Sequence, residues 1–232
     1  MSRLLSILFI GALIGCSGRS ESNSSTMQNE RPWGGLKVQQ VGIPIEQANQ
    51  VVVLLHGYGA SGSDLVPLAD GLQGDKRTFV FPAGPIPLDS GGVAWATSED
   101  EVRSSEQALI GLVQHIQKMR PEAEIAVGGF SQGATMSSLL TDKGLPIKHL
   151  LLFSPGLLVE SFSAASGDGP KVMIAHGTDD DVLAYSDAEK LKELLISAGY
   201  VVNWKPFEGG HSILIETLNE AKAQLDKSSQ DP

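Results

Sequence analysis

The sequence contains a single cysteine, Cys16, so no disulfide can form within the chain. It has no basic cluster, and its formal net charge is −10. A nucleic-acid partner is therefore not expected, because basic side chains facing phosphates supply most of that kind of affinity. No set of His, Cys, Asp and Glu has the spacing of a metal site, so neither a metal ion nor an organic cofactor is expected.

Long hydrophobic runs are also absent, since the N-terminal run Leu4–Ile14 is too short to span a bilayer comfortably. With Arg3 before it, this run has the pattern of a signal peptide. Its end, Leu13–Cys16, resembles a bacterial lipoprotein signal, whereas the alternative is a plain secretory signal with an incidental cysteine. The resemblance implies export, lipidation of Cys16 and anchoring to a bacterial membrane. Ser17, where an aspartate would signal retention, implies the outer membrane if the host is Gram-negative.

The rest of the chain predicts one folded domain. With 41% hydrophobic and 19% charged residues, the composition is that of a globular protein. Residues 1–15 are assigned to the signal peptide. Residues 16–32 are rich in Ser, Asn and Glu and predict a flexible tether. The domain is expected over residues 33–226, followed by a polar tail over 227–232.

Short apolar runs alternate with segments of helical periodicity in this domain. The runs predict buried parallel strands at Val51–Leu55, Thr78–Phe81, Glu124–Gly128, His149–Phe153 and Lys171–Ala175, with an edge strand at Leu36–Ile43. Helices are predicted at Glu101–Met119, Gln132–Thr141, Ser186–Ala198 and Ser212–Leu225. This alternation predicts an α/β fold, in which helices cover both faces of a mostly parallel sheet.

Polar, Gly-rich turns follow four of the strands, the last strand being the stretch around Lys205 and Phe207. The turns are His56–Gly59, Gly129–Gly133, His176–Asp181 and Glu208–His211. Ligands of such sheets bind beyond the carboxyl ends of the strands, so we expect the four turns to converge on one rim.

The turn Gly129–Gly133 contains the pattern Gly-x-Ser-x-Gly around Ser131. An apolar strand before it and a helix-compatible run after it complete the context of a nucleophile elbow. The alternative is a serine that caps the next helix. We predict that Ser131 is the nucleophile of a serine hydrolase.

Five histidines are candidates for the base that such a serine needs. His115 lies in a predicted helix, and His149 opens a strand. His56 and His176 occupy tight His-Gly turns, where they are expected to brace loops. His211 follows two glycines after the last strand and is predicted to be the base.

The acid that orients this base must lie in the turn after Lys171–Ala175, which carries Asp179, Asp180 and Asp181. Only one of the three is expected to be buried against the histidine, because packing three carboxylates together would be costly. The other two are expected to cap the helix near Ser186 or to face solvent. These arguments leave the choice among the three open.

The four turns and their order make the chain similar to the phospholipase/carboxylesterase (acyl-protein thioesterase-like) family of α/β-hydrolases, over about residues 36–226. The resemblance implies that the acid lies four positions after His176, which selects Asp180. It also implies an oxyanion hole formed by the backbone N–H groups of Tyr58 and Gln132. The family commonly has a leucine where Tyr58 stands, and the tyrosine ring is expected to narrow the acyl site.

No large cap domain is expected, because only about a dozen residues separate Gly156 from Lys171. The loop Pro82–Ser98 is expected to cover part of the site, with Trp95 as a candidate substrate contact. Simple packing is the alternative role for this tryptophan.

The leading hypothesis is a serine hydrolase that cleaves carboxylic esters, thioesters or lysophospholipids through an acyl-enzyme on Ser131. Its expected partners are a small-molecule or lipid ester and, through the anchor, a membrane. A second hypothesis is a depolymerase or feruloyl-esterase-like hydrolase of polymeric or aryl esters outside the cell. A third is a hydrolase-like binding module without catalysis, against which the complete set of Ser131, Asp180 and His211 argues.

Overall fold

An eight-stranded sheet crosses the protein in the order β1-β2-β4-β3-β7-β8-β9-β10. The computed structural model describes residues 31–165, 167 and 169–228. The pairs β1–β2 and β2–β4 are antiparallel, and the six strands from β4 onward in this order are parallel. The strands of this sheet are β1 (Arg31–Trp33), β2 (Leu36–Gly42), β3 (Gln50–Leu55), β4 (Arg77–Pro82), β7 (Glu124–Phe130), β8 (Ile147–Phe153), β9 (Lys171–Gly177) and β10 (Val202–Phe207). A separate hairpin consists of β5 (Ile86–Pro87) and β6 (Val93–Ala94).

Helices cover both faces of the sheet. They are α1 (Leu68–Gly71), α2 (Glu99–Met119), α3 (Gln132–Ser138), α4 (Tyr185–Ser197) and α5 (Ile215–Ser228). Side chains from α2, α3 and α4 pack in one apolar core, and side chains from α1 and α5 pack in the other. The predicted α/β-hydrolase fold is thereby confirmed.

The apolar run Val51–Leu55 in the central strand β3 is explained by burial of both faces of the sheet. The six residues of β3 are all buried. Val51 and Val53 point into the core beneath α2, α3 and α4, whereas Val52 and Leu54 point into the core beneath α1 and α5. Because successive side chains of a strand alternate between faces, a strand covered on both sides is apolar along most of its length. The one polar residue of β3, Gln50, lies at its start, where its amide is hydrogen-bonded to Arg77 and to the carbonyl of Leu225.

The folded part extends slightly beyond the predicted domain at each end. Arg31 and Pro32, assigned to the tether, form β1 with Trp33, and α5 continues to Ser228. The signal peptide, Cys16 and the rest of the tether up to residue 30 lie outside the described residues. None of the helices among the described residues is both long enough and apolar enough to cross a membrane. Between β8 and β9 the described residues form no helix or strand, in agreement with the predicted lack of a large cap.

Candidate active site

The site lies where the strand order reverses, between β3 and β7 in the middle of the sheet. The next strand along the chain after β3 is β4, which lies on one side of β3. On the other side of β3, the strands β7, β8, β9 and β10 follow one another in chain order. Such a reversal leaves a crevice at the carboxyl ends of the two strands. The turn His56–Gly59 follows β3 and the turn with Ser131 follows β7, so both open into this crevice.

Ser131 has the strained backbone that a nucleophile elbow requires, with φ 55° and ψ −121°. A Cβ atom at Gly129 or at Gly133 would collide with the carbonyl oxygen of Leu55. Glycine is thus required on both sides of the serine because the turn passes against the backbone of β3. A Cβ atom added at Gly57 would lie 3.5 Å from the Cβ of Ser131, so the turns after β3 and β7 are direct neighbours.

The ring of His211 lies beside this elbow. Its Nδ1 is 2.7 Å from Oδ2 of Asp180, and its ring packs on that of Phe130 with the centroids 4.6 Å apart. Since Nδ1 faces a carboxylate, it carries the proton, which leaves Nε2 of His211 with a lone pair that can accept one.

The carboxylate of Asp180 is completely enclosed by its own turn and by His211. Its Oδ1 accepts hydrogen bonds from the backbone N–H groups of Val182 and Leu183, each at 2.9 Å. Burial by itself would raise the pKa of Asp180, but the hydrogen bonds from His211, Leu183 and Val182 outweigh it and hold the pKa below its ordinary value. The Asp180 carboxylate therefore stays ionised and is placed to stabilise a protonated His211.

The neighbouring carboxylates, Asp179 and Asp181, are both exposed to solvent. Backbone contacts fix this arrangement: the N–H of Asp179 donates to the carbonyl of Gly209 at 2.9 Å, and a Cβ atom at Gly177 would collide with the same carbonyl. The acid turn and the histidine turn are thus held together, with only the middle carboxylate turned inward.

The His176 ring lies against the Asp180 carboxylate and is hydrogen-bonded within the same turn. Its Nε2 lies 3.0 Å from the carbonyl oxygen of Leu183 and 3.2 Å from Oδ2 of Asp180. Both neighbours are acceptors, so Nε2 carries the proton. Burial lowers the pKa of His176, so the ring is neutral and braces the acid turn as predicted.

His56 is likewise occupied at both ring nitrogens. Its Nδ1 donates to the carbonyl of Gly57 at 2.7 Å, and its Nε2 accepts from the N–H of Gly84 at 2.8 Å. Burial lowers the pKa of His56. The ring therefore braces the turn after β3, again as predicted, and has no nitrogen left to act as a base.

The last two histidines lie elsewhere. His149 is buried near the amino end of β8, where burial lowers its pKa to about 4. His115 lies on the exposed side of α2, its ring against that of Trp33. Among the five, His211 alone has a carboxylate on Nδ1 and packs on Phe130, the residue before Ser131.

Trp95 is not exposed to a substrate, so it does not have the contact role that the sequence suggested as one of two alternatives. Its side chain is fully buried, its Nε1 donates to the carbonyl of His56 at 2.9 Å, and its indole stacks on the His56 ring. A ring enclosed in this way has no surface to offer an acyl group. The alternative role as a packing residue is the one that the structure shows.

Sequence comparisons relate the chain to known hydrolases. The family profile described as Phospholipase/Carboxylesterase matches residues 36–229. The acyl-protein thioesterase 1 of Eremothecium gossypii is 30% identical over 221 residues, which cover 81% of this chain and 93% of that protein. The acyl-protein thioesterase 1 of Saccharomyces cerevisiae is 27% identical over 223 residues, which cover 82% and 97%.

Solved structures show the same architecture. The carboxylesterase of Bacillus cereus superposes with a TM-score of 0.71 at 22% identity, covering 83% of this chain and 94% of that one. Esterase PE8 gives a TM-score of 0.69 at 26% identity, covering 82% and 97%. With the profile spanning nearly the whole folded part, the chain belongs to the phospholipase/carboxylesterase family of α/β-hydrolases.

Proposed function

We propose that this hydrolase cleaves carboxylic esters through an acyl-enzyme on Ser131, with His211 as the base and Asp180 as the acid that orients it. The observation that carries the proposal is the 2.7 Å contact between Nδ1 of His211 and buried Oδ2 of Asp180. That contact lies beside an elbow whose strained backbone, at φ 55°, presents Ser131 at the crevice.

In the acylation step, Nε2 of His211 takes the proton of Ser131 Oγ while Oγ bonds to the ester carbonyl carbon. The carbonyl electrons move to oxygen, and the backbone N–H groups of Tyr58 and Gln132 stabilise the resulting oxyanion. When the carbonyl re-forms, the bond to the leaving alcohol or thiol breaks and that group takes the proton from His211. Water then repeats the two steps on the acyl-enzyme and releases the acid.

The proposed substrates are esters, thioesters or lysophospholipids with a short or medium acyl chain. Two exposed apolar side chains adjoin the turns that form the site: Val182 is two residues after Asp180 and Ile215 is four residues after His211, with 58% and 74% exposure. Such surface favours an amphipathic substrate, since exposed apolar groups gain by contact with an acyl chain. Thioesters are included because a 30% identical relative is an acyl-protein thioesterase.

A substrate series tests this proposal. We expect the wild-type protein to hydrolyse p-nitrophenyl esters, with one optimum between acetate and palmitate, and to cleave acyl thioesters of the same length. Methyl ferulate is the comparison, because a preference for it would favour the aryl-ester alternative over acyl esters. No hydrolysis above the rate of the Ser131→Ala variant anywhere in the series would rule out the esterase.

For the location, we propose that acyl chains on Cys16 hold the domain at a bacterial membrane. Each buried methylene stabilises such attachment by about 0.8 kcal/mol. The Cys16→Ala variant of the full chain is expected to move from the membrane fraction to the soluble fraction, whereas Ser17→Ala is expected to remain at the membrane. Equal membrane association of Cys16→Ala and wild type would contradict lipidation.

A further inference from the structure

Trp95 connects the two turns that carry the proposed oxyanion donors. Its indole Nε1–H donates to the carbonyl oxygen of His56 at 2.9 Å, in the turn that continues to Tyr58. Its backbone N–H donates to the side-chain Oε1 of Gln132 at 2.8 Å, in the turn after β7. One buried residue therefore contacts both turns, which follow two different strands.

Further contacts restrict each of these turns in orientation. The Nε2 of Gln132 donates to the carbonyl of Ala96 at 2.6 Å, so both ends of this amide are held by consecutive residues of one segment. The His56 ring stacks on the indole, with centroids 5.1 Å apart and planes inclined by 28°. It also accepts from the N–H of Gly84, near the start of the same segment.

The segment that carries Trp95 is itself fixed to the rest of the fold. On one side, Val93 adds two bonds to the turn after β3: it accepts from the N–H of Gly59 at 3.0 Å and donates to the carbonyl of Ala60 at 2.8 Å. On the other side, the hydroxyl of Ser105 on α2 donates to the carbonyl of Trp95 at 2.5 Å. Trp95 is therefore bonded to α2 as well as to the two turns, and this contact does not depend on either turn.

We propose that Trp95 is a positioning residue that sets the distance and angle between the backbone N–H groups of Tyr58 and Gln132. This inference rests on the proposed function, in which those two groups receive the oxyanion. Two donors stabilise one oxygen only if both point to the same place before the charge develops. Since that charge exists only in the tetrahedral state, misplaced donors lower kcat and leave ground-state binding almost unchanged.

The Trp95→Phe variant tests this role, because phenylalanine keeps an aromatic ring in the core and removes the indole N–H. We expect kcat to fall by about 10- to 100-fold, which is at most the fall caused by removing one whole oxyanion donor. KM is expected to stay within about twofold of wild type. The affinity for an alkylboronic acid, which forms a tetrahedral adduct on the serine, is expected to fall by the same factor as kcat/KM.

Trp33→Phe is the matched control. Trp33 is also buried, at 3% exposure, but it lies on β1, three strands away from β3. The chemical change is the same as in Trp95→Phe. The loss of thermal stability in Trp33→Phe therefore reports what a buried tryptophan contributes to packing. Its kcat and boronic acid affinity are expected to equal those of wild type.

A second variant, Gln132→Met, keeps the proposal testable if Trp95→Phe does not fold, as judged by circular dichroism. It removes both side-chain hydrogen bonds to the Trp95 segment and retains the backbone N–H, and the same division between kcat and KM is expected. Folded variants with kcat and boronic acid affinity within twofold of wild type would overturn the inference. A fall in kcat without a parallel fall in boronic acid affinity would also overturn it. These two outcomes differ from a failure of the proposed function. In that case the wild-type protein would hydrolyse esters no faster than Ser131→Ala.

Discussion

Replacing Ser131 with alanine is expected to lower kcat for ester hydrolysis by about a millionfold. The variant lacks the Oγ on which the proposed acyl-enzyme forms, so only direct attack by water assisted by the remaining groups is left. The substitution removes one oxygen atom and leaves the flanking glycines in place, so the fold is expected to persist. Rates of p-nitrophenyl ester hydrolysis, measured with purified wild type and variant, give the ratio.

Ser104→Ala is a suitable control for this experiment, because Ser104 is exposed on α2 and undergoes the same chemical change. Its kcat is expected to match that of wild type. A Ser131→Ala variant that retained a tenth or more of wild-type activity would contradict the assignment of the nucleophile.

Replacing Asp180 with asparagine is expected to lower kcat by about 10⁴-fold with little change in the fold. The amide has nearly the shape of the carboxylate, but its NH₂ group can face Nδ1 of His211. That ring nitrogen then becomes the acceptor and Nε2 carries the proton, so Nε2 cannot take the proton of Ser131. The negative charge that stabilises the protonated ring is lost as well.

The two neighbouring carboxylates supply matched controls within the same turn. Asp179→Asn and Asp181→Asn make the same chemical change at exposed positions. Each is expected to keep kcat within about twofold of wild type, because an exposed carboxylate is solvated and contacts neither His211 nor the substrate carbonyl. If either variant lost more activity than Asp180→Asn, the acid would have been assigned to the wrong residue.

The fold could be predicted from the sequence because its main signals are local. The continuous apolar run of β3 follows from burial on both faces, and the helical spacing of α2 follows from burial on one. The elbow around Ser131 could be predicted for the same reason, since the strand, the glycines and the helix that form it are contiguous. The position of α5 was less accurate: it begins at Ile215 and not at Ser212, because the residues after His211 first complete the turn.

The choice of acid could not be made from the residues alone. Asp179, Asp180 and Asp181 occupy the same turn and differ only in the direction of their side chains, which backbone contacts with Gly209 determine. The family spacing selects the middle one, and in the structure that carboxylate is the one buried against His211.

The contacts of Trp95 could not be predicted from sequence patterns. Its position in a loop beside the site was predicted, but its partners, His56 and Gln132, lie in distant segments, and no periodicity or spacing relates the three. The same holds for His176, whose role as a brace was predicted although its contact with the Asp180 carboxylate was not. Such roles depend on hydrogen bonds between turns, which become visible only when the turns are placed in space.

Mass spectrometry after reaction with a fluorophosphonate tests the acyl-enzyme chemistry most directly. The reagent bonds covalently to an activated serine, so one adduct per chain is predicted, on the peptide that contains Ser131, and none is predicted in Ser131→Ala. An adduct on a different residue, or an unmodified wild-type protein under conditions in which it hydrolyses esters, would contradict a mechanism through Ser131.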